Sequence, residues 1–416
     1  MTSPTQLASD AFAALAAGEP GAVMLFERAI TASPQTFELL IGEAEARLAA
    51  GDPKPLDRLA AAVANQQDWV AGQAALAALR WELGDREDYA AGLRTALAAT
   101  PANAPLWNAY IQTLAGVGDF VGAANAAAEA RRVFDDPVLA LIEASNAGMA
   151  GEDARTEALL AATPETTPGR DSVEIRHLIR TCDFSGALRT LDRMRKHAPT
   201  DVSVWALTEL LWRHGSEARW DWLMGQPGLL STAELPLGEQ ALARLADALR
   251  SLHRQAAHPV GQSVRGGTQT RGPLFERSDS AIQHLREQLQ VAVERYRERL
   301  PAADTRHPLL RHRDQALRVE GGWSVRLSGA GFHVAHLHSD GVLSSAFYVA
   351  VPQFDDPDRE GWLELGRPPA DLRLDLEPLA SVRPSPGTLA LFPSFLYHGT
   401  RPFRAGERLT VAFDVV

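Results

Sequence analysis

A histidine-rich stretch in the last quarter of the chain decides the interpretation: Gly331-Phe332-His333-Val334-Ala335-His336-Leu337-His338-Ser339-Asp340-Gly341. It places three histidines inside an otherwise apolar run. Residues two apart on a regular β-strand face the same side, so His336 and His338 are expected to point together and His333 to point to the opposite face. The Ser339-Asp340-Gly341 sequence predicts a turn, which would leave the histidine pair at the mouth of a strand.

Further short apolar or alternating runs surround this stretch, and glycine, proline and aspartate separate them. Many short strands with turn signals between them indicate a β-sandwich or barrel. A segment with helical periodicity, residues 280–300, precedes the runs. The runs themselves are Trp323–Leu327, Gly331–His338, Val342–Val351, Trp362–Leu365, Thr388–Phe392 and Leu409–Val416.

A further histidine and an arginine follow at a distance. His398 comes 60 residues after His338, behind another apolar strand, and Arg408 opens the last strand ten residues later. Non-haem iron enzymes hold Fe(II) with two histidines and usually a carboxylate, which leaves positions for 2-oxoglutarate and O2. Arg408 is suited to bind the far carboxylate of 2-oxoglutarate as a bidentate fork, and Thr410 shares its face of the strand. The spacing therefore predicts a metal site with an anion-binding arginine beside it.

Residues from about Val264 to the end resemble a family of bacterial 2-oxoglutarate/iron(II) oxygenases, which is related in architecture to prolyl hydroxylases. The resemblance implies a double-stranded β-helix, or jelly-roll barrel, that uses Fe(II), 2-oxoglutarate and O2, and it implies no particular substrate. Fusion to tetratricopeptide repeats is common in such proteins. The segments that carry the resemblance are Arg265–Thr270, Trp323–Leu327, Gly331–His333, His336–His338, Leu343–Val349, Gly361–Gly366, and Phe392–Ser394 through His398 to Arg408.

The metal ligands can be assigned in two registers. One uses His336, His338 and His398, which gives three neutral histidines, and the resemblance favours this set. The other replaces His336 with Asp340, which gives the two-histidine, one-carboxylate set that is usual in the wider superfamily. His338 and His398 are common to both registers, and the sequence leaves the choice of third ligand open.

Other residues near the predicted site are assigned supporting roles. Tyr348 would give a hydroxyl to 2-oxoglutarate, although the commoner role of such a residue is a half-buried strand aromatic. Gln269, Arg326 and His333 are candidates for contacting substrate or for orienting a metal ligand. For Gln269 and Arg326 a purely structural role is the favoured interpretation.

The first half of the chain is helical and repetitive. A Gly-acidic pair recurs at spacings of 33, 33, 34 and 33 residues, which is typical of stacked helix–turn–helix units. In each unit the glycine would end one helix in a left-handed conformation, and the acidic residue would begin the next. The pattern resembles a degenerate tetratricopeptide array, an α-solenoid that usually binds a peptide or protein in a concave groove. The pairs are Gly18-Glu19, Gly51-Asp52, Gly84-Asp85, Gly118-Asp119 and Gly151-Glu152.

Proline turns also start new helix pairs. Pro101 and Pro199 are each followed six residues later by a tryptophan. The repetitive pattern ends at about residue 224 and the pattern of short strands follows a connecting segment, so three regions are predicted. Residues 1–224 form a tetratricopeptide-like helical domain, residues 225–262 form a helical connector, and residues 263–416 form a double-stranded β-helix oxygenase domain.

The composition argues against some partners and compartments. The net charge of −11 argues against nucleic acid and anionic membranes, because both bind basic surfaces. The single cysteine, Cys182, allows no intrachain disulfide and fits a reducing compartment. The sequence has no secretory signal and no apolar run of roughly 18 residues, so a cytoplasmic location without a membrane partner is expected.

Together these features predict an Fe(II)- and 2-oxoglutarate-dependent dioxygenase that hydroxylates a C–H bond. A protein or peptide is the preferred substrate, because the repeats are suited to presenting a chain, and a small molecule is the second choice. The repeats would bind this substrate or a separate protein partner; the alternative is that they only space or dimerise the catalytic part. Two alternatives are a tetratricopeptide scaffold with an inactive barrel and a three-histidine cupin-like metalloenzyme that does not use 2-oxoglutarate.

Overall fold

The computed structural model describes residues 3–216, 218–353 and 358–416. By spatial packing the chain forms two compact units. The division differs from the boundaries predicted from sequence periodicity, because the helices after Pro168 pack with the strands. The first unit consists of Met1–Thr167, Ser251–Gln262 and Glu276–Ser278, and the second of Pro168–Arg250, Ser263–Phe275 and Asp279–Val416.

The first unit contains a succession of helix pairs joined by tight turns. The helices are α1 (Pro4–Ala17), α2 (Ala22–Ala32), α3 (Glu38–Ala50), α4 (Asp57–Asn65), α5 (Val70–Glu82), α6 (Ala91–Ala99), α7 (Ala104–Gly116), α8 (Phe120–Arg131), α9 (Pro137–Met149) and α10 (Asp153–Ala162). The glycine of every predicted Gly-acidic pair has a positive φ, between 72° and 96°. This left-handed conformation ends a helix readily only at glycine, so the predicted role of the glycines is confirmed. The predicted role of the acidic residue holds only for Asp119 and Glu152, which are the N-cap residues of α8 and α10. After the other three pairs the next helix begins several residues later, so there the prediction was wrong.

The proline turns make the same contact in two different repeats. The indole Nε1 of Trp107 donates to the carbonyl oxygen of Pro101 at 2.9 Å, and that of Trp205 donates to Pro199 at 2.9 Å. Trp107 and Trp205 are each the fourth residue of a helix, and they lie about three repeats apart, so the shared hydrogen bond marks a repeated unit. The tetratricopeptide-like α-solenoid is thus confirmed as the fold of the helical region.

The second unit begins with more helices of the same kind. They are α11 (Arg170–Arg180), α12 (Phe184–His197), α13 (Val202–His214) and α14 (Arg219–Met224). Their apolar core, which includes Ile175, Leu191 and Leu207, continues into Leu372 and Tyr397 from the strand-rich part of the chain. None of the described helices is long and apolar enough to cross a membrane.

The strands of the second unit form two antiparallel sheets. The larger has the order β1-β7-β4-β9-β3-β2 and the smaller the order β6-β5-β8. This is the double-stranded β-helix that the sequence predicts. The elements are β1 (Ser231–Glu234), α15 (Glu239–Arg250), β2 (Val264–Gln269), α16 (Ser280–Arg299), β3 (Val319–His333), β4 (Leu343–Ala350), β5 (Leu363–Leu365), β6 (Ala380–Val382), β7 (Thr388–Pro393), β8 (His398–Thr400) and β9 (Arg408–Val415).

Strand register assigns the two faces of the larger sheet. Thr410 on β9 is paired with Val325 on β3 and with Tyr348 on β4, so these side chains share the inner face. On the outer face the ring of Phe413 meets Phe275, with centroids 6.3 Å apart, and α16 packs against the sheet. The even-numbered positions of β9, from Arg408 onward, therefore line the interior of the barrel.

Candidate metal centre

Three histidines from two segments meet inside the barrel. The strand β3 ends at His333, and the chain beyond it is joined to β8 by a single antiparallel bridge between His336 and His398. The ring centroids of His336 and His398 are 4.2 Å apart, and those of His338 and His398 are 5.0 Å apart. One ligand atom from each of the three lies within 4.8 Å of the other two. The structure thus brings together the three histidines predicted as ligands.

Two of these imidazoles are held by the backbone. The Nδ1 atom of His336 lies 2.9 Å from the carbonyl oxygen of Val334, and that of His398 lies 3.0 Å from the carbonyl oxygen of Leu396. A carbonyl oxygen can only accept, so Nδ1 carries the proton in both rings. The Nε2 atom of each neutral ring is therefore a bare lone pair, which is the state that binds a metal.

The third imidazole is held by a carboxylate that the sequence analysis missed. The Nδ1 atom of His338 lies 2.6 Å from Oδ1 of Asp414, and its Nε2 faces His336. Asp414 lies on β9 six residues after Arg408, and this even spacing is the signal that could have placed it on the inner face. The Nε2 atoms of His338 and His336 are 3.2 Å apart. At this distance either a proton, shared in a hydrogen bond, or a metal ion can lie between the two nitrogens.

Burial keeps two of the histidines neutral. Desolvation, with a smaller contribution from His338, lowers the pKa of His336 to about 3. Desolvation also lowers the pKa of His398 well below its ordinary value of 6.5. These rings need not lose a proton before they bind a metal near neutral pH. Three converging imidazole nitrogens of this kind fit a divalent ion such as Fe(II), Ni(II) or Zn(II).

Asp340, the alternative third ligand, lies outside the group that converges. Its side chain is exposed, and its Oδ1 accepts from the hydroxyl of Ser339 at 3.2 Å. The turn after His338 directs the carboxylate away from the cluster. The structure therefore favours the register with His336 over the register with Asp340.

A buried arginine and tyrosine lie together on the same inner face. Arg408 is 2% exposed and Tyr348 is 0% exposed, and the guanidinium carbon is 5.1 Å from the tyrosine ring centroid. The Nη1 atom of Arg408 donates to the carbonyl oxygen of Gly361 at 2.7 Å. Burial lowers the pKa of Arg408 and raises the pKa of Tyr348.

The arginine has no counter-ion among the residues that the structure describes. Within that part of the chain, Nε of Arg408 and the hydroxyl of Tyr348 are buried without a hydrogen-bond partner. Burial of an unpaired cation and of an unpaired hydroxyl is destabilising. The pair therefore fits a carboxylate ligand, as the sequence predicts for the far end of 2-oxoglutarate.

Two more predicted residues line the same face. Thr410 is 5% exposed and lies between Tyr348 and Val325 in the sheet, two residues from Arg408. Gln269 on β2 is 8% exposed and is paired with Val325, which places it on the inner face as well. Both positions border the interior of the barrel, and their contact with a ligand stays a prediction.

His333 lies beside the cluster and does not point away from it. Its ring stacks on that of His336, with centroids 5.7 Å apart and planes 18° apart, and its Nδ1 is 3.1 Å from the hydroxyl of Ser263. The expectation of an opposite face was wrong because β3 ends at His333, so the strand alternation does not continue to His336. His333 is placed to support a metal ligand by packing.

Arg326 has structural partners on the outer side of the barrel wall. Its Nε donates to Glu407 at 2.6 Å, and the same carboxylate accepts from Arg250 at 2.8 Å. The side chain of Arg326 is 42% exposed. These contacts agree with the structural role that the sequence interpretation favoured.

Residues 321–414 match the model of a family described as "Putative 2OG-Fe(II) oxygenase". The barrel resembles this oxygenase family in sequence. The matched segment of this oxygenase-like barrel contains the three clustered histidines together with Tyr348 and Arg408. No curated protein matches the chain.

Several solved structures show partial likeness to the chain. A prolyl-4-hydroxylase from Pseudomonas putida is 20% identical and covers 45% of this chain and 92% of its own, with a TM-score of 0.31. HygX from Streptomyces hygroscopicus, with nickel, 2-oxoglutarate and hygromycin B bound, is 14% identical over 45% of this chain and 82% of its own, with a TM-score of 0.30. A tetratricopeptide repeat protein from Parabacteroides merdae is 14% identical over 52% of this chain and 88% of its own, with a TM-score of 0.37.

Proposed function

We propose that the chain is an Fe(II)- and 2-oxoglutarate-dependent dioxygenase that hydroxylates a C–H bond. One observation carries the proposal: the barrel interior combines three converging imidazole nitrogens with a buried arginine that lacks a counter-ion among the described residues. His336, His338 and His398 would hold Fe(II). Arg408, assisted by Tyr348 and Thr410, would bind the far carboxylate of 2-oxoglutarate. A buried charge without a counter-ion is destabilising, so the arginine fits an anionic ligand beside the histidines.

The residues of the chain have separate tasks in this reaction. When bound, iron supplies the oxidative chemistry by which 2-oxoglutarate, O2 and a substrate C–H give succinate, CO2 and a C–OH product. The three histidines present neutral nitrogen donors whose directions are set by their Nδ1 hydrogen bonds. Arg408 compensates the charge of the carboxylate, and the hydroxyl of Tyr348 can donate to the same group. Burial of both side chains excludes water from that end of the pocket.

The ligand set has a consequence for metal affinity. Three neutral histidine ligands leave the charge of the dication uncompensated. The carboxylate of Asp414 contacts His338, so its negative charge would act on the metal only through that ring. The dianionic cosubstrate would supply the missing charge. We therefore expect Fe(II) to bind more tightly in the presence of 2-oxoglutarate than in its absence, and equal affinity in both conditions would count against the three-histidine set.

A protein or peptide is the substrate class that we favour. Tetratricopeptide-like repeats usually bind an extended chain or a partner protein, so they are suited to presenting a side chain to the barrel. A small molecule is the second choice. The net charge of −11 gives no support for nucleic acid or an anionic membrane as a partner.

A three-histidine metalloenzyme that does not use 2-oxoglutarate is the second candidate. The absence of a carboxylate from the described metal cluster favours it. The buried Arg408 beside Tyr348 opposes it, because a cosubstrate-free enzyme has no evident need for that cation. A scaffold with an inactive barrel is weaker still, since it would need neither the histidines nor the arginine.

The proposal can be tested by anaerobic mixing of the protein with Fe(II) and 2-oxoglutarate. A visible charge-transfer absorbance band is expected, together with succinate formation when O2 is admitted. Both signals should be lost in His398→Ala and kept in His284→Ala, which removes an exposed histidine on α16. Metal binding without any change on adding 2-oxoglutarate would favour the cupin-like alternative. No metal binding at all would favour the scaffold.

A further inference from the structure

Side chains next to the clustered histidines in sequence pack against the helices α11, α12 and α13. Leu337 lies between His336 and His338, and Tyr397 directly precedes His398. Leu337 and Tyr397 both pack in the apolar cluster formed by α11, α12 and α13. The two segments are also joined to each other, because the backbones of His336 and His398 exchange hydrogen bonds of 3.0 and 3.1 Å. These helices therefore form the wall behind the metal centre.

An arginine on α11 makes polar contacts at this wall. The Nη2 atom of Arg176 donates to Oδ2 of Asp371 at 2.7 Å, and its Nη1 donates to the hydroxyl of Tyr397 at 3.3 Å. Arg180, one helical turn later, donates to the same Asp371 oxygen at 3.3 Å. Asp371 is 9% exposed and lies in the short turn Ala370–Leu372 between β5 and β6. Arg176 thus connects a nearly buried carboxylate to the tyrosine that precedes His398.

Arg213 on α13 binds the loop between β5 and β6, which contains Asp371. The guanidinium of Arg213 donates to the carbonyl oxygen of Glu377 at 2.7 Å and also to that of Gly366. The amide of Gly366 in turn donates to the carbonyl oxygen of Tyr397 at 2.6 Å. The loop between β5 and β6 is therefore bound at both ends by helix residues and bound to Tyr397 at its start. Displacement of Tyr397 would require several of these contacts to change together.

We propose that Arg176 is a positioning residue of the metal centre, which acts through Tyr397 and Asp371 to hold the direction of His398. The inference rests on the proposed function, because it concerns the same metal site. His398 Nε2 has to meet two other nitrogens within a small volume, and such geometry needs support from side chains behind the ligands. The last helices of the repeat region are then part of the metal site as well as of the repeat.

Metal affinity of the full chain tests this role, with Ni(II) as the probe. Isothermal titration calorimetry would compare wild type with Arg176→Met, Tyr397→Phe and the double variant. Loss of a residue that supports a metal ligand weakens metal binding by roughly 10- to 100-fold. We expect Arg176→Met to weaken Ni(II) binding by at least the lower figure and Tyr397→Phe by less. The double variant should be no weaker than Arg176→Met, because both changes break one connection.

The matched control is Arg193→Met on α12. Arg193 donates to Asp171 at 2.8 Å and to Glu174 at 3.1 Å, so it also pairs with carboxylates of α11, and its side chain is 49% exposed. Its removal should leave the Ni(II) affinity unchanged. Equal weakening in Arg193→Met and Arg176→Met would mean that only the general stability of the helices matters, and it would overturn the positioning role.

The absorption spectrum of bound Co(II) gives a readout that stability alone does not move. At saturating Co(II), a role in positioning predicts an altered ligand-field spectrum in Arg176→Met and a wild-type spectrum in Arg193→Met. Wild-type affinity and spectrum in a folded Arg176→Met protein would overturn the inference. If Arg176→Met does not fold, wild-type affinity and spectrum in Tyr397→Phe would overturn it instead.

The failure of this inference can be told apart from the failure of the proposed function. If wild type binds Ni(II), His398→Ala abolishes the binding and Arg176→Met leaves it unchanged, only the positioning role is overturned. If wild type binds no metal, the proposed function is overturned and the positioning role with it.

Discussion

The carboxylate of Asp414 lies 2.6 Å from Nδ1 of His338, and this contact holds the imidazole of His338 within the histidine cluster. Asp414 and Arg408 occupy the same face of β9. One strand therefore supplies an anion beside the histidines and, six residues away, a cation for a carboxylate ligand. A carboxylate behind a histidine fixes the ring orientation and makes the imidazole a better electron donor to a metal.

Removal of this carboxylate should weaken metal binding. We expect Asp414→Ala to raise the dissociation constant for Fe(II) or Ni(II) by roughly 10- to 100-fold. Asp414→Asn should cost less, because an amide oxygen can still accept from Nδ1 but carries no charge. Titration calorimetry under anaerobic conditions measures both. Asp340→Ala is the matched control, since this aspartate is exposed, and a loss of affinity there equal to that of Asp414→Ala would contradict the assignment.

The choice of third ligand can be decided by single substitutions. We expect His336→Ala, His338→Ala and His398→Ala each to abolish stoichiometric metal binding, because two imidazoles alone hold a divalent ion weakly. Asp340→Ala should keep it. Metal content after dialysis, measured by elemental analysis, gives the answer directly. Retained metal in His336→Ala together with loss in Asp340→Ala would restore the two-histidine, one-carboxylate set.

Much of the site could be predicted because its residues lie in short sequence patterns. His336 and His338 are two apart, and His398 and Arg408 adjoin apolar strands, so local spacing was enough to group them. The orientation of His333 could not be predicted, because the end of β3 depends on pairing with strands far away in sequence. The same holds for Arg176, whose contacts with Asp371 and Tyr397 span 195 and 221 residues.

The helical region shows the same limit. The Gly-acidic period predicted turns at the correct glycines, because a left-handed residue at a helix end is a local requirement. The period could not predict that α11–α13 would pack with the barrel. That packing depends on contacts of residues such as Ile175 and Leu207 with Leu372 and Tyr397, which are distant in sequence.

Substitution of Arg408 should separate cosubstrate binding from stability. Arg408→Met removes a buried cation that has no counter-ion among the described residues, which stabilises the fold, and it also removes the hydrogen bond to Gly361, which destabilises it. Because the two effects oppose each other, the melting temperature without 2-oxoglutarate should change little. The increase in melting temperature that wild type gains from 2-oxoglutarate and Ni(II) together should disappear. Differential scanning fluorimetry measures both. A large loss of stability without ligand would mean that the contact with Gly361 dominates and that the role of Arg408 is mainly structural.

Tyr348→Phe should have a smaller effect of the same kind. The hydroxyl of Tyr348 is buried and unpartnered in the described structure, so its removal should not destabilise the ligand-free protein. The KM for 2-oxoglutarate should rise several-fold, which corresponds to the loss of a hydrogen bond of about 1 kcal/mol. The kcat should change little. Succinate formation at varied 2-oxoglutarate measures this. An unchanged KM would remove Tyr348 from the cosubstrate site.

The buried histidines should make the metal-free protein sensitive to mild acid. Burial lowers the pKa of His398 well below 6.5 and that of His336 to about 3. In the unfolded chain both titrate near the ordinary value, so below pH 6.5 the unfolded state binds more protons. Stability that is fully present above pH 6.5 is therefore lost as the pH falls toward the folded-state pKa. For each histidine the free energy of unfolding should fall by about 1.4 kcal/mol per pH unit in that window.

Urea unfolding of the metal-free protein at pH 7, 6 and 5 measures this dependence, with His398→Gln as the comparison. Glutamine keeps a polar side chain of similar size and cannot take up a proton, so this variant should lose less stability between pH 7 and pH 5 than wild type. Saturating Ni(II) should add stability at pH 7 to wild type alone, because the variant lacks one ligand. Identical pH slopes for the two proteins would mean that His398 titrates normally in the folded state, and the neutral donor set inferred for the site would then be wrong.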